Sequence, residues 1–136
     1  MSVSERLNPP GAPAPVGQYS NVAVVPAAAD TIHVAGQLPV DTQGAVVHPG
    51  DFAAQADLVF STLAATLEGC RSSLAEVVAL RAFLVRDEDW PGFRDARARA
   101  FAAHGVAVSP TATTIVAKSL YGGALIELDA VAVRSA

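Results

Sequence analysis

Glu127 and Asp129 stand two apart in Ala124–Val133 (ALIELDAVAV), so in a strand they share a face with Leu125, Val131 and Val133. Ala124, Ile126, Leu128, Ala130 and Ala132 make the other face wholly apolar. Carboxylates on so hydrophobic a strand are costly to desolvate without a partner, so the pair marks either a cleft or interface, or the wet side of an ordinary amphipathic strand. Arg81 interrupts Val77–Val85 (VVALRAFLV), a run that reads as a central strand buried on both faces, and an arginine there needs a partner. His33 lies mid-strand in Thr31–Gln37 (TIHVAGQ), His48 precedes Pro49-Gly50, and His104 sits at a helix end. None has a second His, Cys or acid at a metal-ligand spacing, so no metal is expected. Cys70 is the lone cysteine; Arg71 beside it would favour a thiolate, but a packed, inert thiol is the simpler reading. Arg94, Arg97 and Arg99, balanced by Glu88, Asp89 and Asp95, read as a solvated helix face.

The elements that must position these groups follow from periodicity. Phe52, Ala56, Val59, Phe60, Leu63 and Leu67 form one stripe of a helix capped by Asp51, running to about Glu68 and ended by Gly69. Ser73-Leu-Ala-Glu76 has capping-box spacing and predicts a short helical turn before the strand at 77–85. A second helix spans Trp90–His104, capped by Asp89 and ended by Gly105, with Trp90, Phe93, Ala96, Ala100 and Phe101 inward. Asn21–Val25 and Thr31–Gln37 read as strands, and Pro110–Val133 as two strands forming a hairpin about Tyr121-Gly122-Gly123. Residues 5–18, with Pro9, Pro10, Pro13, Pro15, Gly11 and Gly17, read as extended, irregular chain. The order strand, strand, helix, strand, helix, strand, strand gives an α+β layer with both helices on one face of a mixed sheet. The uncovered face, carrying His33, Arg81, Glu127 and Asp129, predicts self-association.

Composition narrows the function classes. The 136 residues suit one domain, and although 51% are hydrophobic no run approaches the roughly 18–20 apolar residues of a membrane span. The start lacks an apolar h-region and carries Glu5, so a secretory signal is not expected, and with one cysteine a cytoplasmic location is. A net charge of −4 with thinly spread Lys and Arg leaves no electrostatic footprint for nucleic acid.

Short motifs in a fixed order carry a family resemblance: Pro15–Asn21 (PVGQYSN), Ala35–Pro39 (AGQLP), Gly50-Asp51 with Ala54-Gln55-Ala56, Ser72-Ser73-Leu74 with Val77-Val78, Phe83-Leu84, and Ala124–Ala132 (ALIELDAVA). Over nearly its whole length the chain resembles the RidA/YjgF family of reactive-intermediate imine deaminases. The resemblance implies a chorismate-mutase-like α+β fold, a homotrimer with sheets around a central barrel, and small-molecule clefts between subunits. It also implies hydrolysis of 2-imino or 2-enamino acids without a cofactor. Tyr19 and Gly36 match cleft residues, and Glu127 matches a glutamate that positions water. The arginine that holds the substrate carboxylate in a P-x-R-[ST] segment does not carry over, because Pro110-Thr111-Ala112-Thr113 places Ala112 there.

Losing one partner of a bidentate guanidinium–carboxylate contact typically costs a few kcal/mol, so Ala112 argues against the usual 2-imino acids unless their carboxylate is held elsewhere. Lys118, about 20 Å further along the same strand, cannot substitute. Arg81 is the candidate replacement, with pairing to Glu127 or Asp129 as its alternative role. Two functions remain open: an imine or enamine hydrolase with a non-standard substrate, and a non-catalytic small-ligand-binding trimer.

Overall fold

The computed structural model describes residues 3–136. Eight strands and helices follow one another: β1 Glu5–Leu7, β2 Val22–Val24, β3 Asp30–Gln37, α1 Phe52–Gly69, β4 Val77–Leu84, α2 Trp90–Ala103, β5 Thr111–Val116 and β6 Ile126–Arg134. The larger sheet has the order β3-β6-β4-β5, with β6 antiparallel to both neighbours and β5 parallel to β4.

Both helices pack on one face of this sheet. Every member of the Phe52–Leu67 stripe is buried, and it meets Val34, Leu80, Ala82, Leu84, Ile126, Leu128 and Ala130 in a single core. Phe93 and Phe101 of α2 close that core, stacking and edging on Phe60 at centroid distances of 6.2 and 6.5 Å. Asp51 caps α1 by accepting from the Ala54 amide at 3.1 Å. The opposite sheet face carries His33, Arg81, Phe83, Glu127, Asp129 and Val131, since His33 stands opposite Val131, Arg81 opposite Asp129 and Phe83 opposite Glu127.

Four local expectations need correction. The Pro110–Val133 segment is no hairpin: β5 takes the sheet edge, β6 passes to the centre, and β4 lies between them. The Gly122-Gly123 signal is real as a turn, with φ of 63° and 77°, but it ends a longer connection. Second, β4 is fully buried on one face only: among the described residues Leu80, Ala82 and Leu84 are buried, whereas Ala79 and Phe83 are half-buried and Arg81 is exposed. Third, Asp89 does not cap α2. A 3₁₀ turn at Asp87–Asp89 runs into the helix with Asp89 already at helical dihedrals, and its carboxylate instead accepts from Arg86 Nε at 2.7 Å and Nη2 at 3.0 Å. Fourth, the N-terminal segment is more ordered than its prolines imply: Glu5–Leu7 pairs with β2, and Arg6 donates to the Ala75 carbonyl at 2.8 Å.

Gln55 is fully buried and fully used. Its amide nitrogen donates to the carbonyls of Val47 and His48 at 3.1 Å, and its oxygen accepts from the Leu125 amide at 2.8 Å. One side chain thereby fixes the loop before α1 and the entry to β6, two residues ahead of Glu127. Replacing Gln55 with Leu strands a buried N–H and two carbonyls, which should lower unfolding stability by about 3 kcal/mol in urea denaturation. A loss below about 0.5 kcal/mol would mean that other groups take over these bonds.

Candidate functional site

The described residues bring the expected site residues together in two groups. Gly36 and Glu127 form the first. The register of β3 against β6 slips between Val34 and Gln37, a bulge that brings Gly36 against the Glu127 side chain. A Cβ on Gly36 would collide with the Glu127 carboxylate, so this close approach requires glycine. Glu127 itself is half-buried on the uncovered sheet face.

Tyr19, Ala112 and Arg81 form the second group, along a cleft of about 350 Å³ beside β5 that Asn21, Thr111 and Thr113 also line. The loop carrying Tyr19 is pinned there by hydrogen bonds: the Ser20 amide donates to the Pro110 carbonyl at 2.8 Å, and Asn21 donates twice within the N-terminal segment, from its backbone amide to Asn8 Oδ1 at 2.8 Å and from its side-chain amide to the Pro13 carbonyl at 2.7 Å. Arg81 belongs to this cleft, but its guanidinium is engaged. Nε and Nη2 donate to the two Asp129 oxygens at 2.9 and 2.6 Å, and these hydrogen bonds, followed by the charge attraction, raise the Arg81 pKa. Of the two roles open to Arg81, pairing with an acid is the one the geometry displays. Its side chain is 63% exposed, so the pair is a surface contact rather than a core element.

Behind Ala112, on the helix-covered side of β5, lies a second cavity of about 170 Å³. Tyr19, Trp90, Arg94, Arg97, Ala112 and Thr114 are among its walls. Here the reading of Arg94, Arg97 and Arg99 as one solvated face fails. Arg99 is exposed and paired with Asp57 at 2.8 Å, whereas Arg97 is only 6% exposed. Its position explains this, since 97 is four residues after Phe93 and four before Phe101, on the stripe that α2 buries. Arg97 lies over the Phe93 ring at 5.1 Å and Arg94 over Trp90 at 5.6 Å. Burial first, and the charge of Arg94 second, lower the Arg97 pKa. The apolar i, i+4, i+8 pattern around position 97 was the signal available in the sequence.

Among the described residues no three His, Cys, Asp or Glu side chains are grouped to hold a metal ion. No helix among them is long and apolar enough to cross a membrane.

Comparison with known proteins adds a lineage to this geometry. The family model described as Endoribonuclease L-PSP matches residues 10–134. The 3-aminoacrylate deaminase RutC of Acinetobacter baylyi is 35% identical over 99 residues, covering 71% of this chain and 75% of that protein. The 2-iminobutanoate/2-iminopropanoate deaminase of Dermatophagoides farinae is 23% identical over 133 residues, 98% of each chain. Among solved structures, the conserved Rid family protein YyfB of Yersinia pestis, of unknown function, matches with a TM-score of 0.79 at 24% identity, over 96% of this chain and 98% of that one. E. coli TdcF with bound serine matches with a TM-score of 0.71 at 25% identity, over 99% of this chain and all of that one.

The contact between Gly36 and Glu127 makes a local prediction. Gly36→Ala should push the Glu127 carboxylate off its present position while leaving the helical signal in circular dichroism unchanged. A crystal structure of the variant with Glu127 unmoved would contradict it.

Proposed function

The chain belongs to the endoribonuclease L-PSP family, the YjgF/RidA proteins with their chorismate-mutase-like fold, and from that premise we propose that it hydrolyses a small reactive imine or enamine. Two of its relatives carry names for such deaminations, of 3-aminoacrylate and of 2-imino acids. The observation that carries the reading is the half-buried Glu127 carboxylate lodged against Gly36. In the proposed reaction Glu127 takes a proton from water as the water oxygen bonds to the carbon of the protonated imine, and it then returns that proton to the nitrogen. The tetrahedral carbinolamine then loses ammonia and leaves the carbonyl product; an enamine first tautomerises to the imine. No cofactor enters this scheme. Net charge −4 disfavours the RNA cleavage that the family description names.

Within one chain, the two groups of site residues cannot serve one small substrate. Glu127 stands opposite Phe83, and Ala112 opposite Leu80, which separates them by roughly 10 Å along the strands and roughly 10 Å across two strand spacings. Ala112 also shares the helix-covered side with Leu80, while Glu127 lies on the other. We therefore place the working cleft between chains, with Gly36 and Glu127 from one and Tyr19 and Ala112 from its neighbour. A homotrimer in the cytoplasm is the assembly proposed, and the bare sheet face supplies its contact. Replacement of the family arginine by Ala112 also keeps open a non-catalytic ligand-binding role.

Sedimentation equilibrium at micromolar concentration should return the mass of three chains; a monomer would leave the cleft incomplete and defeat the proposal. With imines generated in situ by a pyridoxal-phosphate dehydratase, the protein should speed keto-acid release above the spontaneous rate. Glu127→Gln should lower that acceleration at least about a hundredfold with assembly intact, in line with the usual contribution of a general base. Unaltered activity in this variant would remove Glu127 from the mechanism.

A further inference from the structure

Arg97 is a buried cation without a counter-charge. Among the described residues no carboxylate pairs with it, and its buried Nε has no hydrogen-bond partner. By contrast Arg81, Arg86, Arg99 and Arg134 each pair with an aspartate. The Phe93 ring offers Arg97 a favourable face, but a ring quadrupole does not replace the bonds a guanidinium makes in water. Arginine also cannot shed its proton to escape the cost at any ordinary pH.

The surroundings of Arg97 are built rather than accidental. Its Nη2 lies where a Cβ on Gly17 would be only 3.2 Å away, so the backbone of the N-terminal loop closes directly on the guanidinium. That loop is folded back on itself: the Tyr19 amide donates to the Gly17 carbonyl at 2.9 Å, and the Val16 amide donates to the Tyr19 hydroxyl at 3.2 Å. The hydroxyl therefore accepts within the loop and keeps its own proton for another acceptor. Arg94 adds a second positive charge to the same cavity, and Thr114 adds a hydroxyl. Trp90 and Ala112 supply apolar wall. At about 170 Å³ the space is roughly ten times what one water requires.

We propose that this cavity binds the carboxylate of a small organic acid, with Arg97 and Arg94 as its cationic anchors on α2 and Tyr19 and Trp90 enclosing the short carbon chain. The inference deepens the functional reading above, on which it rests for the identity of the substrate as a small metabolite. It places the anionic end of that substrate behind Ala112, on the helix side of β5. The methyl group of Ala112 leaves this wall uncharged and low, so the strand does not compete with α2 for the anion. One carboxylate, rather than a phosphate, fits a cavity whose remaining wall is aromatic and aliphatic.

Trp90 is the chain's only tryptophan, so its fluorescence reports the cavity without any assay of turnover. Pyruvate, titrated at constant ionic strength, should change Trp90 emission saturably and raise the melting temperature of the protein, as a ligand of the folded state must. Arg97→Met should weaken binding at least thirtyfold, and the uncharged pyruvamide should bind no better to the unaltered protein than pyruvate does to this variant. Should Arg97→Met fail to fold, Ala112→Glu provides a second test: a carboxylate tethered in the cavity should raise the melting temperature and abolish pyruvate binding. The absence of both signals with pyruvate overturns the proposal, as does equal affinity in Arg97→Met or retained binding in Ala112→Glu. Tighter binding of inorganic phosphate than of pyruvate overturns the carboxylate assignment. Pyruvate binding that depends on Arg97, found together with no imine hydrolysis, supports this site and removes only the enzymatic reading.

Discussion

A strand at the centre of a sheet has to satisfy both of its hydrogen-bonding edges, and β6 does so by inserting the last described strand between β3 and β4. That insertion depends on the strict alternation of its side chains. Ile126, Leu128, Ala130 and Ala132 face the helices and are buried, while Glu127 and Asp129 face away. A slip of one residue would drive two carboxylates into the core, at a cost of several kcal/mol each, so the register is fixed by desolvation as much as by hydrogen bonds. The bulge in β3, the Arg81–Asp129 pair and the position of Glu127 over Gly36 all follow from that one register. Gln55 secures it from the other direction by holding the Leu125 amide at the strand's entry.

Six of the arginines divide into two populations with different physics. Four of them meet aspartates at 2.6 to 3.0 Å; the Arg81 and Arg99 side chains are largely solvated, which makes those pairs weak contributors to stability, while Arg86 and Arg134 are partly covered. Arg97 and Arg94 instead lie over the rings of Phe93 and Trp90, at 5.1 and 5.6 Å, beside a cavity. A ring face attracts a guanidinium without using its N–H groups. Burial without a paired acid costs the folded chain free energy, and an anion bound as proposed would relieve that cost.

Helices were legible in the sequence because their apolar stripes are long: the six-residue stripe of α1 is buried throughout, and both helices end within a residue or two of where Gly69 and Gly105 indicated. Sheet order was not, since Gly122-Gly123 between two β-rich runs is a local signal and cannot express that β4 intervenes. Neither could the run Val77–Val85 reveal that only one of its faces would be covered, as apolar residues lie on both. Glu127 was singled out by the alternation of its strand and Gly36 by a family motif, and a bulge that no pairwise spacing announces brings the two into contact. Arg97 was misplaced for a different reason. Its neighbours Arg94 and Arg99 made a charge cluster more conspicuous than the Phe93–Arg97–Phe101 repeat, and charge composition outweighed period.

An anchor on α2, as proposed, in place of one on β5 would have a structural consequence for the cleft. A cation on β5 at position 112 would stand at the sheet edge, whereas Arg97 on α2 reaches the same wall from behind it, through the cavity that Tyr19 closes. The N-terminal loop would then be part of the binding element, since Gly17 packs on the guanidinium and Tyr19 lines both the cavity and the cleft beside β5. That loop is tied to the start of β5 by Ser20, whose amide and hydroxyl bond the carbonyls of Pro110 and Ser109. An anion drawn in by Arg97 and Arg94 would therefore pull on Tyr19, and through Ser20 on the strand that leads to Ala112. The bonds of Ser20 and Asn21 are what hold this proline- and glycine-rich segment against the start of β5, and the proposed anion site would use a loop that those bonds already position.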